Sequence, residues 1–416
     1  MLTVRSYAGA YDPRITQRST VAAYHPGMAL QLTTRDLNSG DLDAAFDVRC
    51  RSFGPLDDTM RAWWNGVQEE SITEGRAIGI CDGERLLAHG KVRSYQQFWG
   101  GRPMPMGGVA GVVVAPDARG MGVGLLLMKA IAQRSQELGD LVSALYPATI
   151  PLYRGLGWEV AGGQYRISMS AEALRTLSGK SISLRTAREP DLEPFRQSLN
   201  DGYAARLANG PKMLSVAEAR EQLLDDGSMS YLTDGGHVVY EWRKEDLEVS
   251  YLQADTPETA RALWSVVGSG SSIAKRVVAY VAPDDPIHLL LPDEVDHETY
   301  IKRWMLRVMD APKAVAARGF SPVVTGSAAL ALKDPVLAGN SGSWRLEVSG
   351  GRGHLAPAEA NDASLRLGPN GFAALFAGTP VHALRTAGLA SGGDPATDQW
   401  LDAAFAGRAP YLLEYF

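Results

Sequence analysis

The stretch Val112-Val113-Val114-Ala115-Pro116-Asp117-Ala118-Arg119-Gly120-Met121-Gly122-Val123-Gly124-Leu125 constrains this chain more than any other. An apolar run reads as a strand, Pro116 and Asp117 turn it, and three glycines lead into a segment with helical periodicity. In that segment Leu127, Ile131 and Leu138 fall on one face, with Lys129, Gln133, Gln136 and Glu137 opposite, and Gly139 sits where a glycine ends a helix. A strand that enters a helix through glycines aims free backbone N–H groups and the positive helix end at one point. Glycine also lets a diphosphate approach without meeting a Cβ. A plain turn and cap would use similar residues. A Walker loop is disfavoured because no Gly-Lys-Ser/Thr follows, and the match to a dinucleotide fingerprint is incomplete.

Around this stretch the pattern is βαβ-like. Residues 31–35 read as a strand, and a helix with Asp41 as N-cap carries Leu42, Ala45 and Phe46. Residues 77–81 and 86–92 read as strands about the turn Asp82-Gly83, and 141–145 as a further strand. The continuous apolar run 109–115 implies a strand buried on both faces. A similar opening returns later: 184–186 is extended, then Pro190-Asp191-Leu192 starts a helix carrying Phe195. Asp191 follows Asp41 by 150 residues, which hints at a duplicated unit. A helix is expected over 304–318, then strands carrying Leu330 and Leu332, Trp344, Leu346 and Val348, and Leu365 and Leu367. Helices near 372–376 and 399–405 close the chain.

With 416 residues, two or three domains are expected. A net charge of -6 argues against a general nucleic-acid binder, and no apolar run is long enough for a membrane span. Residues 1–27 carry Arg5, Arg14 and Arg18 without the apolar core of a secretion signal; they read as a flexible extension, with Met28 as an alternative start. Cys50 and Cys81 read as free thiols of a cytoplasmic protein. The seven histidines lack ligand spacing, so no metal is expected, and His89 and His237 read as core or turn residues.

The motif Arg119-x-x-Gly122-x-Gly124 after a strand ending Val112-Val113-Val114 resembles the GNAT acetyltransferase superfamily. The resemblance implies that the backbone of 112–114 (Val112, Val113, Val114) holds the pantetheine arm of acetyl-CoA. It also implies that the amides of Arg119, Gly120, Met121, Gly122, Val123, Gly124 and Leu125 hold its pyrophosphate. Leu152-Tyr153-Arg154-Gly155-Leu156-Gly157-Trp158 is similar to that superfamily's tyrosine segment, which makes Tyr153, expected to be exposed at a helix start, the proton donor to the thiolate; Tyr146, followed by Pro147, fits less well.

From residue 28 onward the chain also resembles the Eis family of actinobacterial acetyltransferases. The resemblance rests on Arg49-Cys50-Arg51-Ser52-Phe53-Gly54, the glycine cradle, residues 152–158 and Pro283-Asp284-Asp285-Pro286. It continues through Trp304-Met305-Leu306-Arg307-Val308-Met309-Asp310-Ala311-Pro312 to the terminal Glu414-Tyr415-Phe416. It implies an α/β (α+β) chain of tandem GNAT folds with a C-terminal domain like sterol carrier proteins. The expected boundaries are 28–175 for the domain with the acetyl-CoA site, 176–303 for a copy lacking the cofactor motif, and 304–416 for the last domain. A homo-hexamer is implied, as is a general base at the α-carboxylate of Phe416. Asp57, Asp58, Trp63, Trp64 and Glu414 are the implied acceptor-binding residues, suited to a polycationic amine such as an aminoglycoside. A protein lysine acceptor, or a non-catalytic ligand-binding protein with a vestigial site, are the competing readings.

Overall fold

The structure is a computed structural model that describes residues 20–23, 30–177, 182–291, 298–359 and 364–416. Apart from 20–23, the extension 1–27 lies outside the described residues.

The first third comprises β1 (Thr20–Ala23), β2 (Leu30–Asp36), α1 (Leu42–Phe53), α2 (Asp58–Thr73), β3 (Ala77–Asp82) and β4 (Arg85–Trp99). It continues with β5 (Arg102–Val114), α3 (Val123–Glu137), β6 (Val142–Leu145), α4 (Ile150–Arg154), β7 (Glu159–Ser170) and α5 (Ala171–Arg175). The middle third holds β8 (Arg185–Thr186), α6 (Leu192–Ala205), α7 (Val216–Leu224), β9 (Ser228–Thr233) and β10 (Gly236–Arg243). Then come β11 (Asp246–Ala254), α8 (Pro257–Gly268), β12 (Arg276–Val281), α9 (Ile287–Leu290) and β13 (Glu298–Val308).

These strands form one sheet in the order β1-β2-β3-β4-β5-β6-β13-β7-β12-β11-β10-β9-β8. The order reads alike from either side of the central β13–β7 pair. β6 and β12 occupy equivalent places, each parallel to its outer neighbour, β5 or β11. Each half therefore lends the other its last strand. The duplication extends to side chains. Arg35 grips Asp41 through two bonds of 2.6 Å, and Arg185 grips Asp191 in the same way. The same carboxylates accept from the amides of Asn38 and Arg188, both at 2.9 Å. Asp41 is thus anchored by an arginine instead of capping α1 with its side chain.

The last third is α10 (Ala311–Ala317), β14 (Gly326–Leu332), β15 (Gly342–Ser349), β16 (Arg352–Pro357), β17 (Leu365–Leu367), α11 (Pro369–Phe376), α12 (Val381–Thr386), β18 (Ala390–Gly392) and α13 (Pro395–Phe405). Its five strands make a second sheet, with alternating burial that follows the sequence pattern. Trp99 and Trp304 of the large sheet pack with Phe376 and Phe405 in one shared core. Such a shared apolar core fixes the last third, and the tail that follows it, against the first.

Two local expectations fail. Residues 304–308 are strand, not helix: they lie in β13, buried between β6 and β7. Burial on both faces removes the two-residue alternation, so a central strand reads like an apolar helix. Arg307 is fully buried there and meets Asp334 at 2.8 Å. The run 109–115 is also not buried on both faces, since Gly111 is exposed and Ala110, Val112 and Val114 are half-buried. They line an open edge.

Candidate active site

The edge opens because β5 and β6 part. They pair only at Met106, Gly107 and Gly108 against Val142, Ser143 and Ala144, after which β5 keeps β4 as its sole ladder partner. A bulge opposite Gly90, with Gly111 at φ 60°, kinks β5 just beyond this point. Past the bulge, Ala115 donates to Leu87 O across the ladder, so alternation turns the backbone groups of Val112 and Val114 toward the free edge. Ser52 Oγ takes the Val114 carbonyl at 3.1 Å. Val113 points the other way, into the core.

Past Val114 the chain turns through Pro116–Ala118, and Gly120 and Gly122 take φ of 79° and 78°, which costs glycine little. No atom lies within 4 Å of where either would carry a Cβ. Gly122 precedes α3 with no side-chain cap, so the amides of Val123, Gly124 and Leu125 are left to an outside acceptor. Arg119 and Leu125 are exposed, Met121 and Gly124 half-buried, and Val123 anchors the helix in the core. A phosphate-sized anion fits such a cradle.

The C-terminal tail runs to the point where the strands part. Gly163 N donates to Pro410 O, Leu412 N to Gly163 O, and Tyr411 N to Asn209 O. Gln164 Nε2 donates to Leu413 O at 2.8 Å, and Tyr146 hydroxyl to Glu414 O at 2.9 Å. Tyr251 hydroxyl donates to Glu414 Oε1 at 2.6 Å. Phe416 ends against Gly108, its ring centroid 5.4 Å from that of Tyr95 and 5.7 Å from that of Tyr146. The last residue is thereby seated where β5 and β6 separate.

Tyr153 lies on α4 at 6% exposure, within the apolar core and not exposed as expected. Trp158 N and Leu156 N both donate to its carbonyl, and the side chains of both residues belong to the same core as its ring. Its hydroxyl has no hydrogen-bond partner among the described residues. Burial, with Tyr415 nearby, pushes its pKa up, so the phenol stays protonated at neutral pH. Tyr146 is also pushed up by burial and by Glu414, but its proton is already committed to the tail.

The expected acceptor residues do not converge. Asp57 is exposed and caps α2 through Met60 N at 2.8 Å; Asp58 is exposed beside it, and Trp63 is 52% exposed. Trp64 is a core residue, packed edge-on against Phe46 and His89 because its face of α2 meets the sheet. Of the expected set, Glu414 alone lies by Phe416, together with carboxylates of α2 and α7. Burial pushes up the phenol of Tyr95, the ring under Phe416; Arg93, 5.2 Å from that ring, opposes the rise, and Glu218 of α7, Glu70 of α2 and Glu414 of the tail add to it. Lys212 stacks over Tyr95 at 4.7 Å and pairs with Glu218. Burial pushes the Glu414 carboxyl up, offset in part by Lys212 and Tyr251, and its Oε2 has no partner. Lys91, buried beside the bulge and bonded to Gln68, is lowered by burial and Arg93 to about 8. Sequence reasoning missed Glu70, Glu218, Tyr95 and Lys91, and no local motif marks them.

His89 and His237 are buried core residues, and burial lowers them to about 4 and about 3. Both cysteines are free. Among the described residues no helix is long and apolar enough to cross a membrane.

A parted parallel strand pair followed by a glycine cradle at a bare helix end places a free strand edge beside a site for a phosphate-sized anion. Models of an acetyltransferase (GNAT) domain match residues 33–161 and again 212–308, and a sterol carrier protein domain matches 311–413. The crystal structure of a GCN5-related N-acetyltransferase from Kribbella flavida is 45% identical, with a TM-score of 0.90, covering 92% of this chain and 98% of that one. The chain belongs to the GCN5-related N-acetyltransferase family, with two GNAT domains followed by a sterol-carrier domain. It is an N-acetyltransferase, and GNAT domains generally use acetyl-CoA. An uncharacterized N-acetyltransferase of Streptomyces griseus is 27% identical over 379 residues, covering 82% of this chain and 89% of the relative. The structure of Eis1 from Mycobacterium abscessus shares the fold at 20% identity and a TM-score of 0.72, covering 92% of this chain and 100% of that one.

Proposed function

We propose that this enzyme acetylates a primary amine of a polycationic small molecule, such as an aminoglycoside or polyamine, by direct transfer in a ternary complex. The observation that carries the proposal is the docking of Phe416 where β5 and β6 part, against a Tyr95 ring that feels Glu218, Glu70 and Glu414. Acetyl-CoA supplies the activated acetyl thioester. The edge-facing backbone groups of Val112 and Val114, the Val114 carbonyl also accepting from Ser52 Oγ, hold its pantetheine arm beside the buried Val113. The amides of Arg119, Gly120, Met121, Gly122, Val123, Gly124 and Leu125 hold its diphosphate, with the exposed Arg119 adding charge.

In this reading the Phe416 α-carboxylate takes the proton of the attacking amine, directly or through one water, and Tyr153 protonates the departing thiolate. Glu70 draws the cationic acceptor toward Tyr95, Glu218 acts with its partner Lys212 and Glu414 accepts a hydrogen bond, while Asp57, Asp58 and Trp63 line the acceptor's approach. Trp64 supports that wall from the core. Holding both reactants in one groove replaces a bimolecular encounter with an oriented one. The Eis-like homo-hexamer and a cytoplasmic location belong to the same proposal.

The test is acetyl-CoA-dependent thiol release with aminoglycosides, polyamines and lysine peptides, read together with acceptor mass. Release with one acetyl mass gain on a small polycation is the expected result. Modification of lysine peptides alone would overturn the acceptor assignment, and coenzyme A binding without release on any amine would favour a vestigial site.

A further inference from the structure

The second half repeats the parting of strands without repeating the cradle. β11 and β12 pair only at Leu247, Glu248 and Val249 against Val277, Val278 and Ala279, then diverge at Ser250 and Tyr280. The helix that follows, α8, has its first turn closed by Pro257 and by Thr256 Oγ1, which accepts from Thr259 N at 3.1 Å. This end cannot receive a diphosphate as α3 can. A cleft of about 460 Å³ nevertheless lies here, on the face shared by β10, β11, β12, β7 and β13 and walled by the tail at Leu413, Glu414 and Tyr415.

Strands in the middle of a wide sheet normally bury apolar faces under a covering element. This face is polar and aromatic instead. Tyr280, Arg166 and Tyr300 stand opposite one another across three adjacent strands, and Lys302 stands opposite Gln164 one step along. The charges are sorted. Glu241 and Glu248 both face Arg243, at 2.6 and 3.6 Å, and Glu414 Oε1 accepts from Tyr251. Arg166 and Lys302 meet no carboxylate among the described residues. They lie against rings instead, Arg166 at 5.4 Å from Tyr300 and Lys302 at 4.0 Å from Tyr415. Two cations without counter-ions beside open tyrosine faces suit an anion carried on a flat apolar body.

We propose that this cleft is a second ligand site, separate from the acetyl-CoA groove, which binds a small aromatic carboxylate through Arg166 and Lys302 with its ring against Tyr280 and Tyr300.

The experiment titrates 2-naphthoate calorimetrically into the full chain saturated with coenzyme A. The same titration is then made with 2-naphthylmethylammonium, and with the Arg166→Gln and Lys302→Gln variants. The expected result is binding of the anion in the presence of coenzyme A, at least ~10-fold tighter than the cation, and weakened about 10-fold or more by each substitution. No binding of the anion, equal binding of the cation, displacement by coenzyme A, or unchanged affinity in both variants would each overturn the proposal. The anion–cation comparison on the unmodified chain reads the charge preference even if a variant fails to fold.

Discussion

Gly108→Ala is the substitution that most sharply separates cofactor binding from transfer. A Cβ at this position would lie 2.6 Å from Tyr95 Cε2 and 2.9 Å from Phe416 Cδ2. Carbon atoms in contact prefer about 3.5–4.0 Å, so both rings must move, each by roughly 1 Å. Tyr95 is set in β4 with Lys212 stacked on it, whereas Phe416 ends a tail held by a handful of hydrogen bonds. Tyr95 shifts against its strand, and Phe416, packed on it, is displaced with it and moves the more freely. Overpacking costs about 1–3 kcal/mol, part of which displacement of a terminal residue relieves. A misplacement of about 1 Å at a reacting group costs on the order of 100-fold in rate. The assay is steady-state thiol release alongside equilibrium binding of acetyl-CoA, whose cradle lies beyond the bulge and is untouched. The expected outcome is a 10- to 100-fold fall in kcat, about 1–3 kcal/mol of barrier, with the Kd of acetyl-CoA within about twofold. Unchanged kcat, or equal loss of binding and turnover, would refute the reasoning.

Other outcomes follow from the same structure. Tyr153→Phe lowers kcat about 100-fold while leaving acetyl-CoA affinity intact, since removing a general acid forfeits about 10²–10⁴; normal turnover would transfer the role to another group. Asp334→Ala leaves Arg307 charged and alone in the core, at a cost of about 3–5 kcal/mol in urea unfolding; a loss below about 1 kcal/mol would show that the guanidinium finds other partners. His89 and His237 hold folded values near 4 and 3 against an ordinary 6.5, so the unfolded chain takes up protons first. Their contribution is complete above about pH 6.5 and is lost as pH falls toward 4, by about 2 kcal/mol per histidine at pH 5. His89→Gln therefore loses less stability between pH 7 and pH 5 than the unmodified protein, and an identical loss would contradict the assignment.

What could be read from sequence was local. The cradle lies within residues 112–125, where strand, turn and helix signals are adjacent, and the structure forms all three. The duplication was visible at Asp41 and Asp191, because a carboxylate fixed by its own arginine six residues earlier recurs as a unit. Residues 304–308 were misread because a strand buried on both faces loses its alternation, and their pairing partners lie far away in the chain. The Tyr153 ring was expected outside because its motif places it at a helix start; it lies instead in the apolar core that it shares with Leu156 and Trp158. Glu414 was named from the sequence, but Glu70 and Glu218 were not, since they come from elements that approach Tyr95 only in the folded chain.

The central claim is that the last residue completes the transfer site in the first GNAT domain. The most direct test is deletion of Phe416 alone, with acetyl-CoA affinity and single-turnover acetyl transfer measured on the same preparation. The account predicts acetyl-CoA affinity within about twofold of the full chain and a transfer rate at least ~100-fold lower. Transfer at the full rate by a chain ending at Tyr415 would contradict it.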